Sequence, residues 1–315
     1  MRALHVPAPG AQPTLSDLPV PVPGDGQVLV RVKAAALNPV DNAIAAGMVA
    51  EMMPHQYPVV LGRDAAGVVE SVGEGVDHVQ VGDEVFGHVM FVPPIQAGTL
   101  AEYAVLDGES VVTKPDDIDF VTAAAIPLAG GAAAELAAAI DPQPGQTVLV
   151  NGASGGVGGF VVQLLAAREA IVVATGKHDD TERLQTLGAQ LVIDYSAGPV
   201  ADQVRATYPD GVDALVNLAG FTAEDVPLDA VRTGGKVATT TGAPDEQTWT
   251  AAGLTGTTIM AAPTREVTAP LADQAATGSL HIDVPTVLPL EQAADGLATL
   301  ASGGAHGKIV ITIDD

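Results

Sequence analysis

Residues 147–165, TVLVNGASGGVGGFVVQLL, carry the strongest local signal in the chain. An apolar run is followed directly by Gly152, Gly155 and Gly158 at a GxxGxxG spacing, and a second apolar run follows these glycines. Glycines let the backbone turn sharply and approach a diphosphate closely, and a helix N-terminus points free N–H groups at it. The stretch therefore predicts a strand, a dinucleotide-binding turn and a helix.

Strand-like and helix-like segments alternate on both sides of this turn. Apolar runs predict strands at 147–153, 170–176, 191–195, 213–220 and 235–242. Helical patterns lie between them, at 159–169, 180–188, 199–207 and 224–232. This alternation favours an α/β domain with a parallel, doubly wound sheet. An Ala-rich helix over 119–140 precedes it, and we expect Pro127 and Gly130-Gly131 to break or kink that helix.

The first 117 residues follow a different pattern, with short apolar segments separated by Gly and Pro. These segments predict strands at 28–37, 59–73, 79–87 and 100–115. Many short strands with turn signals are typical of a β-barrel-like domain. The tail contains HIDVPTVLPL, a predicted helix at 291–303 and a last apolar strand, GKIVITID, whose sheet partner the pattern leaves open.

Composition limits the possible partners and metal sites. The chain has 315 residues with 38 acidic and 13 basic side chains, a formal net charge of −25, which disfavours nucleic acid and membrane partners. A salty habitat or an acid-rich proteome would both explain this charge. The sequence has no cysteine, so disulfides and thiolate zinc sites are excluded, and the seven histidines lack ligand spacing. The absence of a signal-like or membrane-spanning apolar run predicts a cytoplasmic protein.

The second strand of the doubly wound domain bears on the choice of nicotinamide cofactor. Sites that prefer NAD usually place an acid here to bind the ribose hydroxyls. This strand instead ends with Thr175 and Lys177, and Lys177 is suited to a 2′-phosphate, which favours NADPH over NADH. Asp179 and Asp180 oppose this preference, and the alternative is that Lys177 is an ordinary solvated lysine. The predicted contacts in this part of the chain are Gly152, Ser154, Gly155, Gly156, Val157, Gly158, Thr175 and Lys177.

With these motifs in hand, the chain resembles a zinc-independent medium-chain dehydrogenase/reductase of the quinone oxidoreductase, zeta-crystallin-like type. The resemblance covers almost the whole length. It is carried by VLVRVKAAALNPVDNAIAAG, LGRDAAGVVESVGEGVDHVQVGDEVFG, GTLAEYAVLDGESVVTKPDDIDFVTAAAIPLAG and NGASGGVG, in this order. Each piece is moderately specific, whereas four in order make the assignment strong.

The resemblance implies a domain organisation. It implies a GroES-like catalytic domain at 1–117, completed by 264–315, around a Rossmann dinucleotide-binding domain at 118–263. The last strand would then rejoin the first domain. The family is often dimeric, so a homodimer is possible. Further cofactor contacts implied by the resemblance are Tyr195, Leu218, Ala219, Gly220, Thr241 and Gly242, which follow predicted parallel strands.

The resemblance also implies which residues would bind a metal or take part in catalysis. Zinc members of the wider family hold a catalytic metal with Cys, His and Cys, and the matching positions here are Asn38, Arg63 and Ala129, so no metal is expected. Asn38 is the first candidate donor to the nicotinamide amide or a substrate oxygen, or else it caps the local turn. Asp41 is expected to orient its neighbours. Some relatives carry Tyr where this chain has Asn42, which makes Tyr57 the nearest replacement or a packing residue.

Three functions compete for this sequence. Without a metal Lewis acid, hydride transfer requires an already polarised acceptor, which makes an NADPH-dependent quinone reductase the first hypothesis. An NADPH-dependent reductase of an enone or enoyl thioester needs the same geometry and is the alternative. In both, Arg63 would offer positive charge to the developing oxyanion, or would simply pair with an acid. A non-catalytic nucleotide-binding protein is the third hypothesis.

Overall fold

The computed structural model describes residues 1–314, and its contacts divide the chain into two units. Unit 1 comprises Met1–Gly131 together with the chain from Ala262 onward, and unit 2 comprises Ala132–Ala261. The first boundary between the units, Gly131/Ala132, lies later in the chain than the predicted boundary at residue 117. The physical reason is that the helix α2, Phe120–Ala124, packs on strands of unit 1, namely Gln27–Ala36 and Asp64–Val72.

Unit 1 is built from mostly antiparallel strands. Its strands are β1 Arg2–Val6, β2 Thr14–Asp17, β3 Gln27–Ala36, β4 Val59–Val60, β5 Asp64–Val72, β6 Glu84–His88, β7 Tyr103–Asp107, β8 Val112–Thr113, β15 Thr286–Pro289 and β16 Ile309–Thr312. They form a three-stranded sheet in the order β2-β1-β4 and a seven-stranded sheet in the order β15-β16-β3-β5-β6-β8, with β7 pairing β3. Its complete helices are α1 Pro39–Ala45, α2, α8 Arg265–Ala276 and α9 Ala293–Ala301.

The last strand lies in unit 1, as the resemblance implies. β16 pairs antiparallel with β3, with Val310 opposite Ala36 and Thr312 opposite Ala34. Side chains from both ends of the chain share one apolar core, in which Leu37 and Ile311 are buried. Because burial of each such side chain stabilises the fold by about 1.5–3 kcal/mol, the C-terminal segment is held firmly against β3.

Unit 2 is a doubly wound α/β domain, which confirms the predicted fold class. Its strands are β9 Thr147–Asn151, β10 Ile171–Gly176, β11 Leu191–Asp194, β12 Val212–Asn217, β13 Val231–Thr239 and β14 Thr255–Thr258. All neighbours are parallel, in the order β11-β10-β9-β12-β13-β14. The helices within it are α4 Gly156–Ala166, α5 Thr181–Thr186, α6 Val200–Thr207 and α7 Glu246–Ala251.

Two local predictions fail, the helix at 224–232 and the break at Gly130-Gly131, whereas the break at Pro127 is confirmed. The predicted helix at 224–232 is replaced by two 3-10 turns, Ala223–Asp225 and Leu228–Ala230, because Pro227 cannot donate the hydrogen bond that a longer helix needs. The predicted break at Pro127 is present, because the segment 119–140 is divided into α2 and α3, Pro127–Ile140. Pro127 begins α3, where its missing N–H costs nothing. Gly131 lies inside α3, where a Cβ would meet Pro263 at 3.0 Å, so the glycine allows close packing.

No helix within residues 1–314 combines the length and the apolar character needed to cross a membrane.

Candidate active site

The order of the strands in unit 2 reverses between β9 and β12. The chain leaves β9 toward β10 on one side and continues from β12 toward β13 on the other, so the loops after β9 and β12 diverge. Ligands of open α/β sheets bind at the carboxyl ends of the strands at such a point. The predicted turn follows β9, and Leu218, Ala219 and Gly220 follow β12, so the fold brings these two predicted segments together.

The glycine turn packs more tightly than residues with a side chain would allow. Gly152 has φ +85°, a conformation that other residues rarely adopt, and a Cβ there would meet Ala219 and Leu218 side chains at 3.1 Å. A Cβ on Gly158 would lie 2.5 Å from the carbonyl oxygens of Gly152 and Ala153. Gly155 is the N-cap of α4 and offers no side-chain cap. The residues therefore fit a dinucleotide diphosphate at the start of α4.

A row of polar side chains ties the strand ends together beneath this turn. Thr175 Oγ1 accepts a hydrogen bond from the Gly152 N–H at 2.8 Å. Asn151 Nδ2 donates to Asn217 Oδ1 at 2.9 Å, and Asn217 Nδ2 donates to the Ala243 carbonyl oxygen at 2.9 Å. Thr175 was predicted from the sequence, whereas Asn151 and Asn217 were not. Their signal was available, because each is the polar residue that ends a buried apolar strand.

Several charged residues follow the end of β10. Lys177 and Asp179 are exposed, whereas Asp180 is 4% exposed. The Lys177 N–H donates to Asp180 Oδ2 at 3.0 Å. Arg183, which was not predicted from the sequence, donates from Nη2 to Asp180 Oδ1 at 3.1 Å and to the Ser154 carbonyl oxygen at 3.0 Å. This guanidinium thus connects the loop after β10 to the glycine turn.

The other predicted contacts of unit 2 also lie beyond the ends of strands. Tyr195 follows β11 and is 45% exposed, and its N–H donates to the Gly176 carbonyl oxygen at 3.4 Å. Thr241 follows β13, and its hydroxyl accepts from Asn217 Nδ2 at 3.2 Å. Gly242 is exposed, with φ +74°. Half-buried residues complete the set: Ser154, Gly156, Val157, Leu218, Ala219 and Gly220.

Unit 1 holds a separate chain of buried polar side chains around Asn38. Lys308 Nζ donates to Asn38 Oδ1 at 2.7 Å, and Asn38 Nδ2 donates to Asp64 Oδ2 at 2.8 Å. Asp64 Oδ1 lies 2.7 Å from His88 Nδ1. All four residues are less than 5% exposed. The Asn38 amide is thus engaged at both ends. The other three residues of this chain were not predicted, because they come from β5, from β6 and from the position just before β16.

Asp41 and Arg63 are the other two buried charged residues of this cluster. The Asn38 N–H donates to Asp41 Oδ2 at 2.7 Å. Burial raises the pKa of Asp41 to about 7, although the charge of Arg63 opposes this rise. Burial has the opposite effect on the two cations and lowers the pKa of Arg63 and of Lys308. Arg63 donates to the carbonyl oxygens of Val60 and Ala97, so its guanidinium is fixed in place.

Tyr57 lies beside a histidine. It is half-buried, and its hydroxyl lies 3.4 Å from His55 Nδ1. Burial and then the Arg63 charge lower the pKa of His55. Phe91 lies next to two members of the cluster, with Arg63 Cζ 5.9 Å and the His88 ring 5.3 Å from its centroid. Among the described residues, several buried polar atoms of unit 1 have no hydrogen-bond partner: Asp41 Oδ1, His55 Nε2, Arg63 Nε, His88 Nε2 and Thr99 Oγ1.

The positions that match the metal ligands of the wider family do not form a usual metal site here. The Arg63 guanidinium has no acceptor, and Ala129 has no donor atom at all. The Asn38 amide is committed to Lys308 and Asp64. In the part of the chain that the structure describes, no three His, Cys, Asp or Glu side chains form a group that would hold a metal ion.

Comparison with known proteins identifies the family. Residues 24–116 match the alcohol dehydrogenase GroES-like domain, and residues 187–311 match the zinc-binding dehydrogenase family. The NADPH-dependent alkenal/one oxidoreductase of Arabidopsis thaliana chloroplasts is 32% identical over 94% of this chain and 74% of its own length. A chloroplast envelope quinone oxidoreductase homolog of the same plant is 31% identical over 93% of this chain and 92% of its own length.

A solved structure agrees with these relatives. A mycobacterial protein complexed with NADPH is 27% identical, covers 99% of both chains and has a TM-score of 0.85. The match to the chloroplast envelope homolog spans nearly all of both chains, and the sheet order of unit 2 is that of a Rossmann domain. The chain therefore belongs to the medium-chain dehydrogenase/reductase family of nicotinamide-dependent oxidoreductases, in its quinone oxidoreductase type.

Proposed function

We propose that this chain is an NADPH-dependent reductase of quinones that works without a metal. The glycine turn of unit 2 carries this proposal, because Gly152 and Gly158 allow a tight turn at the start of α4 that any Cβ would disrupt. The bound reduced nicotinamide supplies a hydride to a polarised acceptor. The chain supplies the site, the orientation of both partners and the charge that stabilises the reduced acceptor.

NADPH is proposed over NADH because of the groups after β10. Lys177 is exposed there, and the nearby carboxylate of Asp180 is paired with Arg183. Two further observations support this choice: the name of the Arabidopsis alkenal/one oxidoreductase and the NADPH bound by the mycobacterial protein. The diphosphate would contact the N-terminus of α4, and Tyr195, Thr241 and Gly242 would line the rest of the cofactor site.

The buried cluster of unit 1 is proposed to handle the oxygen of the acceptor. Arg63 would stabilise the developing oxyanion, since it is a fixed cation whose Nε has no partner among the described residues. Asn38 would act as a positioning residue rather than a free donor, because Lys308 and Asp64 occupy its amide. Asp41 would orient Asn38 through its backbone N–H. Tyr57, next to His55, is the proposed source of the proton, with solvent as its supply.

The metal-free part of the proposal rests on the chemistry of the side chains. A guanidinium and a methyl group stand where two ligands would be needed, and an amide engaged by a lysine and a carboxylate stands at the third position. A cytoplasmic location and a homodimer stay predictions of the sequence.

Reduction of an enone or enoyl thioester is the second candidate, and the name of the Arabidopsis alkenal/one oxidoreductase favours it. A stopped-flow comparison of a quinone and an enone at saturating NADPH separates the two. Faster NADPH oxidation by the quinone supports the first proposal, and faster oxidation by the enone supports the second. Tight NADPH binding without oxidation by either acceptor would contradict both and favour a non-catalytic protein.

A further inference from the structure

A carboxylate and a guanidinium meet where the loop after β10 leads into α5. Asp180 Oδ1 accepts from Arg183 at 3.1 Å, and Asp180 Oδ2 accepts the Lys177 N–H at 3.0 Å. The Asp180 side chain is 5% exposed and the Arg183 side chain 26% exposed. The same Arg183 nitrogen also reaches the Ser154 carbonyl oxygen in the glycine turn at 3.0 Å.

The position of Asp180 makes its charge important for cofactor choice. An acid beyond the second strand of a Rossmann domain binds ribose hydroxyls and repels a 2′-phosphate. By its sequence, Asp180 is such an acid. In the structure, however, both of its oxygens already accept hydrogen bonds from this chain, and a full positive charge lies against it. The outward residues of the loop are Lys177, His178 and Asp179.

We propose that Arg183 determines cofactor specificity through Asp180. The guanidinium cancels the charge of this carboxylate and holds it inward, so that the loop tolerates a 2′-phosphate beside Lys177. Arg183 is thus a positioning residue, and the inference deepens the proposed use of NADPH and rests on it. Without the guanidinium, the uncompensated carboxylate would repel NADPH much more than NADH, because only NADPH carries the extra phosphate.

A double-mutant cycle tests this inference. Dissociation constants for NADPH and NADH are measured by calorimetry for the wild type, Arg183→Gln, Asp180→Asn and the double variant. We expect Arg183→Gln to weaken NADPH about tenfold more than NADH, the effect of about one unscreened charge contact. Adding Asp180→Asn should restore most of the lost NADPH preference, because asparagine keeps an acceptor for the Lys177 N–H but carries no charge.

Arg183→Lys is the matched control, since it keeps the charge and should keep the ratio of the two affinities near that of the wild type. Circular dichroism checks that every variant is folded. Equal losses for both cofactors in Arg183→Gln would overturn the inference and show that the Arg183–Ser154 contact only shapes the turn. An NADPH-specific loss that Asp180→Asn does not restore would also overturn it, because Arg183 would then contact the phosphate itself.

A different result would contradict the proposed function. Tighter binding of NADH than of NADPH by the wild type would contradict the choice of cofactor. The change in the affinity ratio across the cycle would still report whether Arg183 acts through Asp180.

Discussion

At the scale of single residues, Asp41 shows how burial changes chemistry. It is fully buried, and burial raises its pKa to about 7 from an ordinary value of 3.8. Because the pKa in the folded state lies above that in the unfolded state, folding favours the protonated carboxyl. The stability that this group contributes is therefore fully present below pH 3.8 and is lost as the pH rises through 7.

The first prediction concerns this decrease of stability with rising pH. In the wild type, ionisation of Asp41 should lower the free energy of unfolding by about 2–4 kcal/mol between pH 4 and pH 8, since each pKa unit corresponds to about 1.4 kcal/mol. The Asp41→Asn variant should not show this decrease. Asparagine keeps an acceptor for the Asn38 N–H. Urea unfolding at several pH values measures the effect, with the exposed Asp117→Asn as control. Parallel pH profiles for wild type and Asp41→Asn would contradict the assigned pKa.

The second prediction concerns Lys177. Lys177→Ala should weaken NADPH by about 1–2 kcal/mol and NADH much less, because one charge-assisted contact to the 2′-phosphate is lost. Fluorescence titration with both cofactors measures this difference. Arg168→Ala is the control, since it removes the same charge from an exposed site just beyond the C-terminus of α4. Equal weakening of both cofactors by Lys177→Ala would remove the argument for NADPH.

At the scale of elements, the predictions were most accurate where one continuous segment of sequence contains all the residues that define an element. The strand, turn and helix around Gly152–Gly158 follow from the glycine spacing and the apolar runs beside it. The network of Asn38, Asp64, His88 and Lys308 could not be predicted in this way. It requires the pairing of β16 with β3 and of β5 with β6, which brings together residues that are up to 270 positions apart.

The third prediction compares two neighbouring glycines of α4. In Gly158→Ala the new Cβ would lie 2.5 Å from two carbonyl oxygens, so the turn must shift, and NADPH affinity should fall at least about tenfold, with a lower melting temperature. In Gly159→Ala the Cβ would meet only Leu187 Cδ1 at 3.7 Å. This control should keep its affinity and gain about 0.5–1 kcal/mol, because alanine favours a helix. Equal NADPH affinity in the two variants would show that the turn does not hold the diphosphate.

At the scale of the whole molecule, charge is the dominant feature. A net charge of −25 on 315 residues makes the folded chain repel itself. Salt screens this repulsion, since the Debye length falls from about 10 Å at 0.1 M to about 3 Å at 1 M.

We therefore expect the melting temperature to rise by several degrees between about 0.05 M and 1 M NaCl, most steeply at low salt, as followed by circular dichroism. An uncharged osmolyte should not reproduce the steep initial rise. A melting temperature that is constant or falls with salt would show that the acidic surface does not destabilise the fold.

In the proposed reaction, this chain passes a hydride from NADPH to a conjugated carbonyl without a metal. The most direct test is a single turnover of NADPH deuterated at the transferred position, with a quinone and with an enone, after exhaustive chelation and metal analysis. We predict that the acceptor gains the deuterium, or that it appears in solvent when the reduced quinone exchanges it, and that chelation leaves the rate of NADPH oxidation unchanged. Loss of oxidation on chelation, with recovery on adding zinc, would contradict the claim.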